Sequence, residues 1–263
     1  MAELSKVRLE KELDKLGIKQ LFDLHVFEKI DSTNAWLLEN VDSGSRFSNV
    51  CVANEQAAGS GRSGRSWFSP ASKNIYFSYG VALETAVQDF SALSLVIGLI
   101  VLRVLKKLGV NGLALKWPND ILRDNKKLAG ILIAVKTIYR QRYLVIGIGI
   151  NVSMQGEAIG LQGVGWNDLS DTGIRVEDRE KIIAMILAES QKCVPLFFEQ
   201  GFTLYRSEWN DADAWKGEHV QILDQGKELL SGIESGVDEL GRLLVQGERM
   251  HKVSSGDVSL RRS

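Results

Sequence analysis

The sequence predicts an α+β protein with a mixed β-sheet, flanking helices and a small β-barrel at the C-terminal end. Two observations predict this fold class. Up to Trp215, segments with apolar residues at helical spacing alternate with shorter strand-like runs that are bounded by turn residues. After Trp215 the chain changes to short alternating strands and glycine-rich turns over about 48 residues, which is typical of a small antiparallel barrel.

The first elements are a short helix, a strand and a second helix. Leu9, Leu13 and Leu16 recur at helical spacing, and Gly17 follows them in the position of a C-cap. The stretch VFEKIDSTNAWLLEN then changes from strand-like to helix-like, with Asp31 or Ser32 as a suitable N-cap. A helix-turn-helix needs two packed helices, and the residues before this strand have room for only one.

The central part predicts two long helices and a series of strands. The helices are DFSALSLVIGLIVLRVLKKLG and EDREKIIAMILAESQKCVPLFFEQ. The strands are NVCVANE, NIYFSYGVAL, LALKW, ILRD, KLAGILIAVK and RYLVIGIGINV. The strands after Trp215 are EHVQILD, ELLSGIES, LLVQG, MHKVSSG and DVSLRR. We therefore expect a short N-terminal helical segment at 1–24, a main domain at 25–215 and the barrel at 216–263.

Composition and charge narrow the function classes. The chain has 263 residues, of which 44% are hydrophobic and 25% charged, as in ordinary globular proteins. Its net charge of -1 provides no global basic field for nucleic acid or an anionic membrane. The N-terminus lacks an apolar signal-peptide core, and the apolar run at 93–102 is too short to span a bilayer. These features predict a cytoplasmic protein with no nucleic-acid or membrane partner.

Sulfur and imidazole side chains are sparse. Cys51 and Cys193 each lie in an apolar run, which predicts buried, reduced thiols. The histidines His25, His219 and His251 are far apart and have no zinc spacing. We therefore expect no metal site formed by the protein alone.

The stretch GSGRSG at 59–64 has the glycine spacing of a dinucleotide-binding turn. Such a turn must open a helix, because the helix N-terminus holds the pyrophosphate. Here RSWFSPASKN follows, which predicts a loop and then a strand. Glycines let a backbone approach a ligand closely, and Arg62 and Arg65 can bind phosphate or carboxylate. An anion-binding loop and an exposed, solvated surface loop both remain open on these residues alone.

Three other stretches have the same ambiguity. Gly147 and Gly149 alternate with isoleucines in IGIGIN, so both face one side of a strand, against either a ligand or a neighbouring helix. KWPND contains Pro, Asn and Asp, which are common in turns, and it also places polar side chains at a strand end. Lys127 in KKLAGIL precedes a small pair on the next strand, and a lysine beside a turn is usually solvated. Together with the glycine stretch, these features favour a ligand site.

Taken together, these stretches resemble the biotin protein ligases, also called biotin–acetyl-CoA-carboxylase ligases. The segments that carry the resemblance, in family order, are DSTNAWLL, EQAAGSGRSGRSWFSP, LKWPNDI, KKLAGIL, IGIGIN and GDVSLR. The resemblance implies a mixed sheet with helices and a C-terminal SH3-like barrel. It also implies two reaction steps: biotin and ATP form biotinyl-5′-AMP and pyrophosphate, and a lysine ε-amine of the biotin carboxyl carrier protein of acetyl-CoA carboxylase then takes the biotinyl group.

The resemblance also implies roles for individual residues. The catalytic set is Lys127, Arg62, Arg65 and Asp120. The biotin-binding set is Ser32, Thr33, Asn34, Gln56, Gly59, Ser60, Gly61, Arg62, Lys127, Gly130, Gly147 and Gly149. The nucleotide-binding set is Arg65, Trp67, Lys116, Asn119, Asp120, Asn151 and Arg261. Mg²⁺ is implied as an ion carried on the ATP phosphates, and GSGRSG becomes a lid that closes over the adenylate.

Two departures from the family pattern bear on function. The family usually reads G-R-G-R-x-G-R in the lid, and here Ser60 replaces the first arginine, which predicts weaker retention of the adenylate. The short N-terminus predicts a ligase without the DNA-binding domain of some relatives, present as a monomer or a homodimer. The alternatives are a lipoate–protein ligase, which shares the fold, and a non-catalytic regulator that binds biotinyl-AMP.

Overall fold

The structure is a computed structural model that describes residues 3–40, 48–83, 89–138, 141–154, 165–224, 226–256 and 258–262. The helices are α1 (Lys6–Lys15), α2 (Thr33–Asn40), α3 (Leu93–Lys107), α4 (Arg179–Gln200) and α5 (Thr203–Asp211). The strands of the first sheet are β1 (Phe22–Ile30), β2 (Ser48–Gln56), β3 (Ile75–Leu83), β4 (Leu113–Lys116), β5 (Asp120–Arg123), β6 (Lys126–Ile138) and β7 (Gln141–Ile150). The strands of the second sheet are β8 (His219–Asp224), β9 (Lys227–Val237), β10 (Leu243–Gln246), β11 (Met250–Val253) and β12 (Val258–Arg262). The predicted helices and strands are present, and α5 is additional.

The first seven strands form a mixed sheet in the order β1-β2-β3-β7-β6-β5-β4. β1 and β2 are parallel, and the other neighbouring pairs are antiparallel. The mixed sheet of the predicted fold class is therefore confirmed. The strand registers pair Asp120 with Gly130, and Gly130 with Gly149. Residues that are far apart in sequence thus form one row across β5, β6 and β7.

The two faces of this sheet are covered unequally. α3 and α4 pack together on one face, against Val50, Val52 and Ile146. The short helix α2 packs on the other face, where Leu37 contacts Cys51 and Val145. Because side chains alternate across a strand, Gly147 and Gly149 lie on the same face as Val145. One helix of eight residues covers this face only in part.

The second sheet contains the last five strands. Its order is β11-β10-β9-β8-β12, and all neighbouring pairs are antiparallel. In the part of this segment that the structure describes, no pairing between the edge strands β11 and β12 closes the sheet. The antiparallel all-β segment agrees with the prediction, and a closed barrel is not seen.

Local features follow the sequence signals closely. α1 ends as Gly17 predicts, with Gly17 at a φ of 70° and the Ile18 N–H donating to the Leu13 carbonyl at 3.1 Å. Cys51 and Cys193 are free and buried, and burial raises the pKa of the Cys51 thiol to about 12. Among the described helices, none is long and apolar enough to cross a membrane.

A buried arginine at the start of α4 joins the helical layer to the loops beside the sheet. Arg179 has no exposed surface. Its guanidinium donates to the carbonyls of Val176 at 3.0 Å and Asn74 at 3.1 Å, and to Asn54 Oδ1 at 3.3 Å. The Asn74 side chain in turn accepts the Val152 N–H at 2.8 Å. Arg179 therefore holds the turn that fixes the chain where it leaves β7.

We expect Arg179→Met to lower the free energy of unfolding by about 3 kcal/mol, because it leaves buried acceptors without a donor. Denaturant unfolding measures this change. The matched control is Arg249→Met, since Arg249 is exposed, and we expect it to change the free energy of unfolding by less than about 0.5 kcal/mol. Equal effects of the two substitutions would contradict a supporting role for the buried network.

Candidate active site

A cavity of about 280 Å³ opens on the sheet face that α2 covers only in part. It is lined by all of the predicted site residues except Gly59. The predicted residues that line it are Ser32, Thr33, Asn34, Gln56, Ser60, Gly61, Arg62, Arg65, Trp67, Lys116, Asn119, Asp120, Lys127, Gly130, Gly147, Gly149, Asn151 and Arg261. Segments from both sheets therefore meet around one space.

One end of the cavity is polar but uncharged. Gln56 Oε1 accepts hydrogen bonds from the Thr33 N–H at 2.9 Å and from the Thr33 hydroxyl at 3.2 Å. Thr33 Oγ1 and Ser78 Oγ form a further hydrogen bond of 2.9 Å. Ser32 also accepts a bond from the Ala35 N–H at 3.4 Å, as expected for a residue that caps α2. This end offers hydroxyl and amide groups whose orientations are fixed by one another.

The two glycines of β7 form the floor of the cavity. A Cβ atom at Gly147 would lie 3.0 Å from Asn34 Nδ2 and 3.3 Å from Ser78 Oγ. A Cβ atom at Gly149 would lie 2.6 to 2.8 Å from the indole ring of Trp67. Both positions therefore require glycine because other groups approach the strand closely. The prediction that both glycines face one side is confirmed.

Gly59 differs from the other predicted residues because it is buried and does not line the cavity. A Cβ atom there would lie 2.5 Å from the Trp67 carbonyl oxygen and 2.7 Å from Ser69 Oγ. Gly59 therefore allows the loop to pack on itself. Its position gives no support to the expected contact with biotin.

The segment from Gly59 to Trp67 folds back on itself without opening an α-helix. The Trp67 N–H donates to the Gly59 carbonyl at 2.7 Å, and Ser60 pairs with Ser66 in an antiparallel bridge. A 3-10 turn at Arg62–Gly64 forms the tip, with Ser63 in the left-handed region at a φ of 54°. The prediction of a loop after these glycines, in place of an α-helix, is therefore confirmed for this described segment.

The two arginines of this loop have different surroundings. Arg62 donates to Asn119 Oδ1 at 3.4 Å and to the carbonyl oxygens of Ser255, at 2.5 Å, and Gly256. It therefore connects the loop to the second sheet. Arg65 is exposed, and its Nε donates to the Arg62 carbonyl at 3.2 Å. Both guanidinium groups remain beside the cavity.

The other end of the cavity contains two lysines that share one carboxylate. Lys127 Nζ lies 2.6 Å from Asp120 Oδ1, and Lys116 Nζ lies 3.5 Å from Asp120 Oδ2. The two ammonium groups also face aromatic rings, Lys127 at 5.2 Å from the Trp67 centroid and Lys116 at 4.7 Å from the Trp215 centroid. The positive charges are thus held in place before any anion is bound.

Burial and charge act against each other on these groups. Burial alone raises the pKa of Asp120, but the ammonium groups of Lys127 and Lys116 outweigh it and hold that pKa below its ordinary value. Burial lowers the pKa of Lys116, Asp120 opposes this effect, and Lys127 and Arg261 add to it. With one carboxylate among several cations, this end of the cavity favours an anionic ligand.

Two further polar groups face this end of the cavity. Asn151 uses its amide Nδ2 to bond the carbonyls of Lys127 at 3.4 Å and Asn167 at 3.1 Å. Its Oδ1 accepts no hydrogen bond from the residues that the structure describes. The indole N–H of Trp67 likewise has no acceptor among the described residues. Asn151 Oδ1 can therefore bond a ligand, whereas the Trp67 N–H lies against Gly149 of β7.

Sequence reasoning missed part of the lining. The missed residues are Ser66, Phe68, Tyr76, Phe77, Ser78, Ile131, Leu132, Ile148, Met154 and Trp166. Ser78 is the most informative, because a fully buried serine in an otherwise apolar strand signals a fixed polar contact. Trp166 reaches the cavity because it pairs with Lys127 in a parallel bridge. No local sequence pattern predicts that pairing.

Comparisons with known proteins identify the family. The sequence model of the biotin/lipoate A/B protein ligase family matches residues 26–151, and that of the biotin protein ligase C terminal domain matches residues 217–261. The bifunctional ligase/repressor BirA of Escherichia coli is 37% identical over 239 residues, which are 90% of this chain and 73% of that protein. The chain belongs to the biotin protein ligase family. The biotin–[acetyl-CoA-carboxylase] ligase of Mycobacterium tuberculosis is 34% identical over 241 residues, 89% of this chain and 88% of its own.

Solved structures agree with this assignment. The biotin protein ligase from Aquifex aeolicus in complex with biotin and ATP superimposes with a TM-score of 0.77 at 31% identity. The match covers 92% of this chain and 99% of that one. The fold of this ligase, a mixed sheet followed by an antiparallel segment, is therefore the fold of the family.

We expect Asp120→Asn to lower the free energy of unfolding of the ligase at pH 7 by about 3 kcal/mol, because it leaves the buried ammonium group of Lys116 and the partly exposed one of Lys127 without their carboxylate. The pKa of Asp120 is depressed, so its stabilising effect is present above the ordinary value of 3.8 and disappears as the pH falls through the depressed pKa. The difference between the two proteins should therefore close below pH 3.8. Denaturant unfolding across this pH range measures it.

The control is Asp14→Asn, since Asp14 is exposed on α1, and we expect little difference from wild type at any pH. A difference for Asp120→Asn that persists unchanged in acid would mean that the carboxylate stabilises the fold by packing and not by charge.

Proposed function

We propose that this biotin protein ligase activates the biotin carboxylate with ATP and then transfers the biotinyl group to a lysine of a carrier protein. One observation carries the proposal: a single cavity joins an uncharged polar end at Thr33, Gln56 and Ser78 to a cationic end at Lys116 and Lys127. A neutral ring system that carries a carboxylate chain, followed by an anionic nucleotide, matches this order of groups. The Aquifex aeolicus ligase determined with biotin and ATP supports the same pairing of substrates.

The uncharged end favours biotin over lipoate. The ureido ring of biotin carries N–H donors and a carbonyl acceptor, whereas the dithiolane ring of lipoate has neither. Thr33 and Ser78 present hydroxyl groups in a buried network, and such groups lose free energy against a ring that cannot bond them. Gly147 presents bare backbone beside Asn34 and Ser78, which a flat fused ring can approach, whereas Trp67 already covers Gly149. We therefore propose biotin as the acid that is activated.

The cationic end lowers the cost of bringing two anions together. In the first step a biotin carboxylate oxygen attacks the α-phosphorus of ATP, a new P–O bond forms, and the bond to pyrophosphate breaks. At about 4 Å and an effective dielectric near 20, two unit charges repel by roughly 4 kcal/mol. Lys127 lies at this end, where its Nζ is 3.4 Å from the Cβ position at Gly130 and 2.6 Å from Asp120 Oδ1. We propose that this ammonium group contacts both anions.

Mg²⁺ enters as an ion carried on the ATP phosphates. Among the residues that the structure describes, no group of three or more histidine, cysteine, aspartate or glutamate side chains could hold a metal ion. Asn151 Oδ1 and the Asp120 carboxylate are oxygen ligands of the kind that Mg²⁺ prefers, and Mg²⁺ commonly uses one or two such groups together with substrate phosphates. These two residues would hold the ion, which would neutralise phosphate charge.

The second step needs a stable adenylate and an entering amine. The ε-amine of the carrier lysine attacks the acyl carbon, the bond to AMP breaks, and the amine loses a proton. Water would hydrolyse the same bond, so the loop from Gly59 to Trp67, with Arg62 and Arg65, is proposed to cover the adenylate. The name of the Mycobacterium tuberculosis relative supports the biotin carboxyl carrier protein of acetyl-CoA carboxylase as the partner.

The deciding experiment is the mass of a biotin carboxyl carrier domain after incubation with the ligase. We expect one biotinyl addition on a single lysine that depends on both biotin and ATP. A lipoyl addition in a parallel reaction with lipoate, in place of a biotinyl one, would identify a lipoate ligase. Formation of biotinyl-AMP without transfer would identify a regulator that uses the adenylate as its ligand.

Lys127→Ala should lower the rate of pyrophosphate release by about two or more orders of magnitude, because the ammonium group acts most strongly as charge develops on the phosphate. Transfer from supplied biotinyl-AMP should change less. Pre-steady-state measurement of pyrophosphate separates the two steps. The matched control is Lys126→Ala on the neighbouring exposed lysine. A normal rate for Lys127→Ala with a slow Lys126→Ala would reverse the assignment.

Ser60→Arg should slow the release of biotinyl-AMP by about tenfold, because it adds a cation at the exposed residue that lines the cavity beside Arg62. Release is measured by trapping the free adenylate after a single turnover. Ser207→Arg on the exposed face of α5 adds the same charge elsewhere and should leave release unchanged. Equal rates for all three proteins would mean that Ser60 does not determine adenylate retention.

A further inference from the structure

A buried pair of carboxyl groups lies behind the cationic end of the cavity. Asp213 belongs to the segment between α5 and β8, and Glu234 belongs to β9 and is only 1% exposed. The two side chains lie close enough for their carboxyl groups to interact directly. Apart from this contact, no donor among the described residues reaches Asp213 Oδ2 or either oxygen of Glu234. A hydrogen bond between two carboxyl groups requires a proton on one of them.

Burial supports the presence of that proton. It raises the pKa of both Asp213 and Glu234, and the proximity of the two groups raises the pKa of Glu234 further. Two buried carboxylates side by side would otherwise both be ionised without a cation between them, which is costly. The pair therefore carries one negative charge and one proton.

The backbone around Asp213 ties this pair to Lys116. The Leu115 N–H donates to the Ala212 carbonyl at 2.7 Å, and the Ala214 N–H donates to the Leu115 carbonyl at 2.8 Å. The segment therefore runs beside β4, directly next to the residue that precedes Lys116. The other member of the pair, Glu234, belongs to the second sheet, and its backbone N–H donates to the Glu218 carbonyl at 3.0 Å. The carboxyl pair thus lies where the first sheet meets the second.

A series of contacts through Trp215 connects the carboxyl pair to Lys116. Asp213 Oδ1 accepts the backbone N–H of Trp215 at 3.1 Å, and the Trp215 ring faces Lys116 Nζ at 4.7 Å from its centroid. Glu234 also interacts electrostatically with Lys116. Without this charge, Asp120 would be the one carboxylate opposing the repulsion of Lys116 by Lys127 and Arg261 among the groups described around it.

We propose that Asp213 and Glu234 are positioning residues for Lys116. Asp213 fixes the backbone of Trp215, whose ring faces the ammonium group, and the two carboxyl groups supply, as a singly protonated pair, a second negative charge behind it. The inference rests on the proposed role of Lys116 at the nucleotide end of the cavity. The inference implies that residues where the two sheets meet also contribute to ATP binding.

Amide substitutions test the charge separately from the shape. Glu234→Gln and Asp213→Asn each leave one carboxylate and one donor, so each single variant should bind a non-hydrolysable ATP analogue within about twofold of wild type. The double variant keeps the hydrogen bond and removes the charge. It should weaken binding of the analogue by about tenfold, because Lys116 is no longer held against two neighbouring cations. Calorimetry in saturating biotin measures the dissociation constants.

The same substitutions in a Lys116→Met background identify the route of the effect. We expect the double amide change not to weaken binding there, since it then only removes a negative charge near an anionic ligand. Weakening of equal size in both backgrounds would mean a general structural role for the pair and would overturn the inference. Tighter binding in both backgrounds would also overturn it, because the negative charge of the pair would then act only by repelling the anionic analogue.

The outcomes also separate this inference from the proposed function. If Lys116→Met alone leaves analogue binding unchanged, the nucleotide site is assigned wrongly and both proposals about Lys116 fail. If Lys116→Met weakens binding and the double amide variant does not, only the positioning role fails. Melting temperatures of all variants establish that each is folded before its binding is compared.

Discussion

The arrangement of the cavity depends on one ion-pair cluster, in which the carboxylate of Asp120 holds the ammonium groups of Lys116 and Lys127. The three residues come from β4, β5 and β6, and antiparallel pairing brings these strands together. The two ammonium groups repel each other, so the position of each depends on the carboxylate that they share. Neighbouring aromatic rings complete the enclosure, Trp67 beside Lys127 and Trp215 beside Lys116. The cations are therefore arranged in advance, which spares reorganisation when an anion binds.

The sheet explains why the cavity lies where it does. One face is filled by α3 and α4, so only the face with α2 has room for a ligand. On that face β7 carries glycine at two successive outward positions, where Asn34 and Trp67 approach the strand closely because no side chain intervenes. Thr33 and Asn34 begin α2 at the edge of this space. The short helix thus limits the cavity at one end and supplies its polar groups.

Much of the fold and most of the cavity lining could be predicted from the sequence, because both depend on local patterns. Periodicity identified the strands and the long helices, and motifs at strand ends contained residues such as Asn119 and Lys127. Contacts between residues far apart in the sequence could not be predicted in this way. Ser78 and Trp166 enter the cavity through strand register and bridges, which no local pattern encodes. The sequence motif also cannot distinguish a glycine that faces a ligand from one that packs against its own loop, as Gly59 does.

The contacts of Arg62 with Ser255 and Gly256, together with Arg261 on β12, have a consequence for biosynthesis. The cavity wall combines residues near both ends of the sequence. A ribosome that has made the first sheet has produced the glycine floor and the lysine cluster, but not the strand that carries Arg261. The complete wall can therefore form only after residues 255–261 have left the exit tunnel. Reactive adenylate should consequently be confined to chains in which these residues already support the loop.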